Sequence, residues 1–493
     1  MMRLSAATLD RLPASVRRPA YARAHLAVGH VHIGVGAFHR CHQLDFVDDM
    51  LEARLGPWGV VGINMRPPRA APQLAAQDYL YTRNLREGAR VRTRVIGCLR
   101  DVIETDSAAA AEAAVAALAG PSVQLVTLTI TEKGYGLTPA SGALDADNAD
   151  VAADLAGAWP PRTALGLLAR ALEARALRRR PVTLMSCDNI PANGRRLRAG
   201  LMALIEATRP ALLDWVATNV AFPGTMVDRI VPAAQASDVE ALAARLGLSD
   251  EAAAFGEPFR QWVIEDRFAG ARPPLDLAGV QFVADAEPYE QIKMRVLNAA
   301  QSTLSHWGAL VGHEFSWQAA MDGVLSDLVE RMLTRETLPT LPAVEGIASD
   351  EYLATSLARI RNSAIHHRCH QIGTDGSQKI AQRLLQPLRS RLARGLPAPY
   401  LECAVSGWIA YVAAGAKRYG ARWAPDDPFA GLVIARAESA GDFSDLARAV
   451  LAISQIFGCD LAEAGLAARI GAELEGLLGP DPHGHLQRTL ARA

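Results

Sequence analysis

The first half of the chain alternates short apolar runs with helical segments, and this alternation limits the possible folds more than any other feature of the sequence. An alanine-rich segment at 107–120 has the composition of a helix and ends at Gly120. Strand-like runs stand at 31–36, 58–65, 91–97, 124–136 and 182–189, with a further apolar and β-branched stretch at 213–233. Strands that alternate with helices predict βαβ units and a mainly parallel sheet.

The second half of the chain has a different pattern. From about residue 288 long helical segments follow one another, beginning with EQIKMRVLNAAQSTLSHWGALVG at 290–312, and strand-like runs nearly disappear. A chain of 493 residues is also too long for a single hydrophobic core. We therefore predict an α/β domain at 1–285 with a mainly parallel sheet, followed by a mostly α-helical domain at 286–493.

Charge and cysteine usage exclude several classes of protein. Lys and Arg total 51 against 52 acidic residues, so the net charge of −1 gives no electrostatic reason for nucleic acid or an anionic membrane to be the main partner. The six cysteines are scattered without a CxxC pair, which favours reduced thiols. The first residues of the sequence lack the continuous apolar run of a signal peptide, and no uninterrupted apolar stretch of about 18 residues occurs, so neither a signal peptide nor a transmembrane helix is expected. The expectation is a soluble, cytoplasmic protein.

A glycine turn follows the first predicted strand. In GVGAFHRCHQ (34–43), Gly34 and Gly36 supply the first two glycines of a dinucleotide-binding turn, while His39 stands where the third would be. The first glycine permits the tight turn, and the second lets the backbone approach a pyrophosphate at the start of the next helix. The alternative is an ordinary strand–turn–helix junction. His39 and Arg40 accordingly either line the cofactor phosphates or only cap the turn.

The end of the second predicted strand bears on the choice of cofactor. An acidic residue at this place binds the adenosine ribose of NAD. The sequence here is INMRPPRAAP (63–72), which has no acid but contains Arg66 and Arg69. Arginines would suit the 2′-phosphate of NADP. The alternative is that both are solvated surface arginines, so NAD and NADP both remain open.

The segment KMRVLNAAQSTLSH (293–306) has polar groups among apolar neighbours in a predicted helix. At about 100° per residue, Asn298 lies about 140° and Gln301 about 80° from Lys293, so the three fit on one broad face. A lysine beside amides in a partly desolvated cleft could take a proton from a substrate hydroxyl, while an amide stabilises the resulting alkoxide. The alternative is that these are ordinary solvated or capping groups.

A resemblance that runs along nearly the whole chain favours the catalytic interpretation. The sequence resembles the polyol-specific long-chain dehydrogenases, the family of mannitol 2-dehydrogenase and of fructuronate reductase (mannonate oxidoreductase). The resemblance implies a Rossmann-type N-terminal domain, a mostly helical C-terminal domain, an active site in the cleft between them, NAD or NADP, and no metal. The similar stretches, in the family's order, are HIGVGAFHRCHQ (32–43), AQDYLYT (76–82), TLTITEKGYG (127–136), MSCDNIPANG (185–194), FPGTMVDRIVPA (222–233), EPFRQWVIED (257–266), PYEQIKMRVLN (288–298) and DGSQK (375–379).

The resemblance also implies roles for individual residues. Lys293 corresponds to the general base, and Glu290 to an acid that passes protons between this lysine and solvent. Asn189 and Asn298 correspond to the donors that stabilise the reacting oxygen. In the substrate site, Asp228 corresponds to a binding acid and Lys379 to a contacting cation. The residues expected to bind the cofactor are Gly34, Gly36, Phe38, His39, Arg40, Arg66 and Arg69.

Gln301 departs from the family pattern, which usually has histidine three residues after the asparagine. Glutamine can donate and accept hydrogen bonds but cannot titrate. His306 cannot replace the missing histidine, since it lies about 140° around the helix from Gln301. Because Lys293 and both asparagines are present, we expect an active enzyme that is slower or acts on a different substrate. A cofactor-binding sensor of sugar acids, without turnover because of Gln301, is a further alternative.

Two substrate classes fit the resemblance. Mannitol 2-dehydrogenases oxidise neutral polyols, whereas fructuronate reductases act on a sugar acid. Gln371 stands where the polyol enzymes carry an arginine, and several local segments resemble the sugar-acid branch. A carboxylate needs a cation, which Arg368, His367 and Lys379 could supply; the alternative is that Arg368 pairs with an internal acid such as Asp375. We expect a substrate of the D-mannonate/D-fructuronate type, with a mannitol- or arabinitol-type polyol as the alternative.

Two other features have simpler interpretations. HHRCH (366–370) resembles a metal cluster but lacks the spacing of a zinc site, so no metal is predicted. Cys187 has no histidine partner in the sequence pattern and is expected to be a packing residue. The expected partners are therefore small molecules, and the expected oligomeric state is a monomer or a small homo-oligomer.

Overall fold

The computed structural model describes residues 1–67, 70–138, 142–461 and 464–492. The chain divides into two compact units, Met1–Glu287 and Pro288–Ala493, called unit 1 and unit 2 below. The strands, all in unit 1, are β1 (Val28–Ile33), β2 (Gly59–Asn64), β3 (Tyr81–Glu87), β4 (Arg90–Ile96), β5 (Leu99–Glu104), β6 (Leu125–Leu128), β7 (Val182–Ser186), β8 (Val220–Ala221), β9 (Thr225–Asp228), β10 (Ala254–Gly256), β11 (Gln261–Glu265) and β12 (Gln281–Val283).

Unit 1 is built on a parallel sheet whose strands follow the order β5-β2-β1-β6-β7-β8. Numbered within this sheet alone, the order is 3-2-1-4-5-6, the arrangement of dinucleotide-binding domains. The predicted fold class, a Rossmann-type domain with a mainly parallel sheet followed by a mostly helical region, is confirmed. The helices of this unit are α1 (Ala37–Cys41), α2 (Gln43–Ala53), α3 (Ala71–Ala75), α4 (Ala108–Leu118), α5 (Ala149–Leu155), α6 (Ala164–Ala176), α7 (Asn193–Thr208), α8 (Leu213–Asn219) and α9 (Ala236–Leu246).

Both faces of the parallel sheet are covered, which explains why its central strands are mostly buried. Val31 and Ile33 of β1 pack in one core with Leu165 and Leu168 of α6. The other core contains Phe46 of α2. Alternation along a strand places successive side chains on opposite faces, so His30 and His32 of β1 point away from the core that holds Val31.

Two segments differ from the sequence prediction. The strand predicted at 91–97 is β4, but it pairs antiparallel with β3, in a separate sheet of order β10-β3-β4. The stretch at 213–233 begins as helix α8, and then contributes β8 to the parallel sheet and β9 to a third sheet of order β12-β11-β9. Apolar and β-branched composition alone does not distinguish a short buried helix from a strand.

Unit 2 is helical, and no strand lies in its described residues. One helix begins as α10 (Glu287–Lys293), passes through a π-helical turn at Met294–Asn298 and continues as α11 (Ala299–Val311). Further π-helical segments lie at Met332–Thr337 and Ala381–Leu385. The other helices are α12 (Ser316–Met321), α13 (Gly323–Arg331), α14 (Ser349–Ile360), α15 (Cys369–Gly373), α16 (Gly376–Ile380), α17 (Gln386–Leu392), α18 (Pro399–Tyr419), α19 (Ala430–Ser439), α20 (Phe443–Leu451), α21 (Ser454–Phe457), α22 (Ala464–Leu477) and α23 (Pro482–Arg492).

Candidate functional site

The glycine turn after β1 requires glycine at its first position. Gly34 has φ +99°, and a Cβ atom there would lie 2.1 Å from the carbonyl oxygen of Thr129. Its N–H donates to the carbonyl oxygen of Ile63 at 2.8 Å, which ties the turn to β2. Gly36 precedes α1 with φ −83°, and the nearest atom to a Cβ there would be 4.0 Å away. The space beside Gly36 is therefore open, as the close approach of a cofactor would need.

A pocket of about 390 Å³ lies beside this turn. Its walls come from the segments that follow β1, β2 and β6 and include Gly34, Gly36, Asn64, Arg66 and Thr131. Strands β1 and β6 are the neighbours at which the strand order of the sheet reverses. Open α/β sheets bind their ligands at this point, outside the carboxyl ends of the strands. The pocket thus has the position and the open backbone that a dinucleotide requires.

A cluster of buried histidines lies next to the glycine turn. Thr127 Oγ1 is hydrogen-bonded to His30 Nε2 at 2.6 Å and to His32 Nδ1 at 2.7 Å. The ring of His39 stacks on that of His32 with centroids 3.3 Å apart. Burial lowers the pKa of His30 to about 3 and holds the pKa values of His32 and His39 well below the usual range. The cluster is therefore neutral at physiological pH.

Three of the predicted cofactor-binding residues are not part of the pocket wall. His39 is fully buried against His32. Phe38 stacks on His42, with ring centroids 4.9 Å apart. The guanidinium of Arg40 donates to the carbonyl oxygen of Ala252 and lies over the ring of Tyr81. Gly34, Gly36 and Arg66, in contrast, line the pocket, whereas Arg69 lies outside the described residues.

The end of β2 contains a residue that the sequence analysis missed. Asn64 Oδ1 accepts the N–H of Val35 at 2.8 Å, and its Nδ2 donates to Glu104 Oε1 at 3.1 Å. Asn64 thereby links β2 to the glycine turn. An acidic residue is expected at this position, and the neutral amide of Asn64 is a polar signal at the end of the second strand that the prediction did not include. Next to it, Arg66 donates to Asp150 Oδ2 at 2.6 Å, and both side chains are about half exposed.

The segment after β7 holds another residue that was missed. Asp188 accepts hydrogen bonds from the N–H groups of Ile130 (3.1 Å) and Thr131 (2.9 Å) and from the Tyr135 hydroxyl (2.7 Å). Burial raises the pKa of Asp188 to about 6, against these hydrogen bonds. Asp188 therefore fixes the loop after β6, which lines the pocket. The resemblance implied a role only for its neighbour Asn189, which is exposed to solvent.

Asp228 is the last of the predicted site residues in unit 1. It is the last residue of β9 and pairs with Gln261 of β11. Its side chain is 2% exposed. A carboxylate that is so deeply buried needs polar partners, as expected of a residue in a binding site or in a structural network.

In unit 2 the π turn brings the predicted catalytic residues onto one side of the helix. The N–H of Ala299 donates to the carbonyl oxygen of Met294, five residues earlier, so the turn holds one residue more than an α-helical turn. Lys293 and Asn298 are also five residues apart and flank this turn. They consequently lie closer in angle than the 140° that a uniform α-helix would give. π-helical turns of this kind are frequent at functional sites.

The side chains of this helix are buried although they are polar. Lys293 is 4%, Asn298 6% and Gln301 8% exposed. Asn298 Nδ2 contacts Met294 Sδ at 2.9 Å, while Glu290 lies one turn before Lys293 and is half-buried. His306, in the same helix as Gln301, has its pKa lowered to about 3 by burial and by the charges of Lys379 and Arg383. It is therefore a neutral group and remains on a different side of the helix from Gln301.

The residues predicted to bind a carboxylate have different surroundings. Lys379 Nζ donates to the carbonyl oxygens of Ile372, at 3.2 Å, and Thr374. Burial and the nearby Lys379 charge lower the pKa of His367 to about 4, so this imidazole is neutral. His367 and Lys379 thus lie near each other, and only Lys379 contributes a cation.

Arg368 forms an internal ion pair, the alternative considered in the sequence analysis. Its partner is Glu314, which precedes α12, and not Asp375. The guanidinium also lies between the rings of Phe315 and Trp423, 5.3 and 5.2 Å from their centroids. Its charge is already compensated by a carboxylate of unit 2.

The HHRCH segment and Cys187 have ordinary contacts. His370 Nδ1 is hydrogen-bonded to the Tyr411 hydroxyl at 2.9 Å. Within the described ranges no three His, Cys, Asp or Glu side chains are placed to hold a metal ion. Cys187 is buried, and this burial raises the pKa of its thiol, consistent with a packing residue.

Among the helices of the described residues, none is both long and apolar enough to cross a membrane.

Comparison with known proteins places these features in one family. The Mannitol dehydrogenase Rossmann domain matches residues 28–277, and the Mannitol dehydrogenase C-terminal domain matches residues 285–478. The D-mannonate oxidoreductase of Escherichia coli (strain K12) is 36% identical over 90% of this chain and 92% of its own length. The Mannitol 2-dehydrogenase of Phaeosphaeria nodorum is 36% identical over 100% of this chain and 85% of its own. The structure of Pseudomonas fluorescens mannitol 2-dehydrogenase with NAD and D-mannitol has a TM-score of 0.89 and 31% identity, and the match covers 100% of this chain and 99% of that one.

Proposed function

The chain is an oxidoreductase of the mannitol dehydrogenase family, and we propose that it interconverts a secondary alcohol and a ketone on an acyclic sugar acid of the D-mannonate/D-fructuronate type. The observation that carries this proposal is the π turn between Lys293 and Asn298. It brings a buried lysine and a buried amide to the same side of one helix, in the stretch that resembles the family's catalytic segment.

The pocket beside Gly34 and Gly36 is the proposed site for NAD or NADP. Its position where the strand order reverses, the open space at Gly36 and the walls from three strand ends support this assignment. The nicotinamide cofactor supplies the hydride exchange when it is bound. Gly36 lets the backbone approach the pyrophosphate, and Arg66 is available to contact a ribose 2′-phosphate once its pairing with Asp150 is broken.

The proposed proton chemistry uses side chains of the chain in place of a metal ion. Lys293 takes the proton of the substrate hydroxyl during oxidation and returns it during reduction. Asn298 donates a hydrogen bond to the same oxygen and stabilises its negative charge, as a preorganised donor in a water-poor site can do. Glu290, one turn earlier, passes the proton between Lys293 and solvent. Asn189 is the second proposed donor, and Asp228 and Lys379 are proposed to bind the substrate.

Gln301 has a positioning role in this proposal. A glutamine can hold a substrate hydroxyl by donating or accepting a hydrogen bond, but it adds no group that titrates. The pH dependence of turnover should therefore reflect Lys293 without a second imidazole at this position.

A neutral polyol is the second candidate substrate, and two observations favour it. Relatives named mannitol 2-dehydrogenase are as similar as the D-mannonate oxidoreductase. Arg368, one of the cations predicted for a carboxylate, is paired with Glu314. The sugar-acid class keeps its support from the D-mannonate relative and from Lys379.

A substrate panel tests the proposal. We expect absorbance of the reduced nicotinamide to change with D-mannonate or D-fructuronate much faster than with D-mannitol, D-arabinitol or D-fructose, each with both cofactors. Faster turnover of the neutral polyols would assign the chain to the second candidate. Binding of sugar acids without turnover, with turnover gained by Gln301→His, would instead favour a sensor.

A further inference from the structure

The proposed sugar-acid function leaves one contact unassigned, namely a planar cation that can hold the carboxylate through two parallel hydrogen bonds. Arg368 is paired with Glu314 and enclosed by two aromatic rings. His367 is neutral at physiological pH. Lys379 is a point charge that donates to two backbone carbonyl oxygens. A bidentate cation for a planar carboxylate must therefore come from another residue.

Arg383 lies beside the helix that carries Lys293 and Asn298. Its Nη1 donates to Ser302 Oγ at 2.8 Å and is 3.5 Å from the carbonyl oxygen of Asn298. Ser302 follows Asn298 by four residues, so the two share one side of the helix. Arg383 itself belongs to the π-helical segment Ala381–Leu385, which packs against the π turn at Met294–Asn298.

The charge of Arg383 is not compensated by an acid. Nη1 makes both of its hydrogen bonds, and each acceptor is a neutral oxygen. No carboxylate in the described part of the chain pairs with Arg383. Arg383 lies close enough to His306 for its charge to lower the pKa of that imidazole, which is neutral, and Arg295, in the π turn that packs against the segment of Arg383, is another cation. Burial lowers the pKa of this guanidinium to about 10, so it stays charged at neutral pH in partly desolvated surroundings.

A partly desolvated guanidinium without a counter-ion favours an anion, since transfer of an isolated charge out of water is costly. The Nε and Nη2 atoms of Arg383 form the edge that remains after Nη1 is held by Ser302. This edge has the two parallel N–H groups that match a carboxylate. We propose, on the basis of the function proposed above, that Arg383 binds the substrate carboxylate and thereby determines the preference for sugar acids over neutral polyols.

D-mannonate and D-mannitol form a matched pair of substrates, because the carboxylate of the first replaces a hydroxymethyl group of the second. With the full chain and its nicotinamide cofactor, we expect Arg383→Gln to raise KM for D-mannonate by roughly 10- to 100-fold, as loss of a charge-assisted pair predicts. The kcat/KM for D-mannitol should change by less than about threefold, since no charge-assisted pair is lost with that substrate. Arg383→Lys, which keeps the charge but not the planar edge, should give an intermediate KM for D-mannonate.

Three further variants separate the possible outcomes. Arg368→Gln should leave the ratio of the two substrates unchanged; a loss specific to D-mannonate in this variant would overturn the inference in favour of Arg368. Equal losses with both substrates in Arg383→Gln would also overturn it, because Arg383 would then only position the helix. Equilibrium binding of D-mannonate to Lys293→Ala and to Lys293→Ala/Arg383→Gln gives a readout without turnover, and similar dissociation constants would contradict the inference.

The wild-type protein distinguishes failure of the inference from failure of the proposed function. If the wild type neither turns over nor binds D-mannonate, the sugar-acid function is wrong and the inference fails with it. If the wild type oxidises D-mannonate and Arg383→Gln does so with an unchanged KM, the function stands and only the role of Arg383 is wrong.

Discussion

The glycine turn of unit 1 and the π turn of unit 2 both depart from regular secondary structure where the chain is expected to bind or react. They do so by different means. The glycine turn depends on backbone conformation, because Gly34 has φ +99° and no room for a Cβ atom. The π turn depends on side chains, because its extra residue brings Lys293 and Asn298 to one side of the helix. The difference predicts that damage to the first affects folding, whereas damage to the second affects chemistry.

The largest expected effect comes from a change to a side chain at the π turn. Lys293→Ala should reduce kcat by about 10²- to 10⁴-fold, the contribution typical of a general base. The free energy of unfolding and the cofactor dissociation constant should remain close to those of the wild type, since the change leaves the backbone hydrogen bonds intact. Steady-state kinetics measures kcat, denaturant unfolding measures the free energy of unfolding, and cofactor titration measures the dissociation constant. Lys417→Ala, at a lysine whose side chain is 82% exposed, is the matched control, and retained turnover in Lys293→Ala would contradict the proposed mechanism.

The next largest effect comes from changes to the backbone of the glycine turn. Gly34→Ala should lower the free energy of unfolding by about 2–5 kcal/mol, because φ +99° is unfavourable for alanine and its Cβ would collide with the Thr129 carbonyl. Gly36→Ala has space for the Cβ and should fold normally but bind the cofactor more weakly. Denaturant unfolding and cofactor titration of the two variants give the comparison. Equal stability of both variants would show that the turn can relax.

A smaller effect concerns the histidines below the glycine turn. Unfolded imidazoles bind protons near pH 6.5, whereas burial keeps His39 neutral. The free energy of unfolding should therefore fall as the pH is lowered below about 6.5, by at most about 1.4 kcal/mol per pH unit for each such histidine. His39→Phe keeps the stack on His32 and removes one titrating group, so its stability should depend less steeply on pH. Denaturant unfolding between pH 7 and pH 5 measures the slopes, and identical slopes would mean that His39 is protonated in the folded protein.

The smallest expected effect sharpens the assignment of the cofactor pocket. Arg66 pairs with Asp150 while both are about half exposed, an arrangement worth at most about 1 kcal/mol. Arg66→Ala should weaken NADPH binding by no more than about fivefold and leave NADH binding unchanged. Asp150→Ala, which frees the arginine, should strengthen NADPH binding. Equal responses of the two cofactors would show that Arg66 does not contact the 2′-phosphate.

The two turns also show how far the sequence alone can predict this molecule. Strand-like runs and glycines predicted the parallel sheet and the position of the pocket, because the backbone conformation at these places restricts which residue types fit. The pairing of β4 with β3 was not predicted, since a strand pattern does not identify its partner or its sheet. The missed residues Asn64 and Asp188 act by accepting hydrogen bonds from backbone N–H groups in the segments that follow β1 and β6, and residue type alone does not identify these distant donors.

The catalytic helix shows the corresponding limit for side chains. Lys293, Asn298 and Gln301 were predicted to share one face, and burial of all three is observed. The π turn between them was not predicted, because a shift of one residue in hydrogen bonding changes no composition or periodicity. The sequence alone likewise does not distinguish the roles of Arg368 and Arg383. Only their surroundings distinguish an arginine paired with Glu314 from one that has no acidic partner among the described residues.

The π turn has a consequence for insertions and deletions in this helix. Since it contains one residue more than an α-helical turn, deletion of a single residue within 294–297 would restore a uniform α-helix in which Lys293 and Asn298 are four residues and about 40° apart, still on one side. Insertion of one further residue there, in contrast, would rotate everything after it by about 100° and shift it by about 1.5 Å relative to Lys293. Asn298, Gln301 and Ser302 would turn away together, and Arg383 would lose its hydrogen-bond partner. A protein that keeps every proposed catalytic residue would then be inactive because its helix is one residue too long.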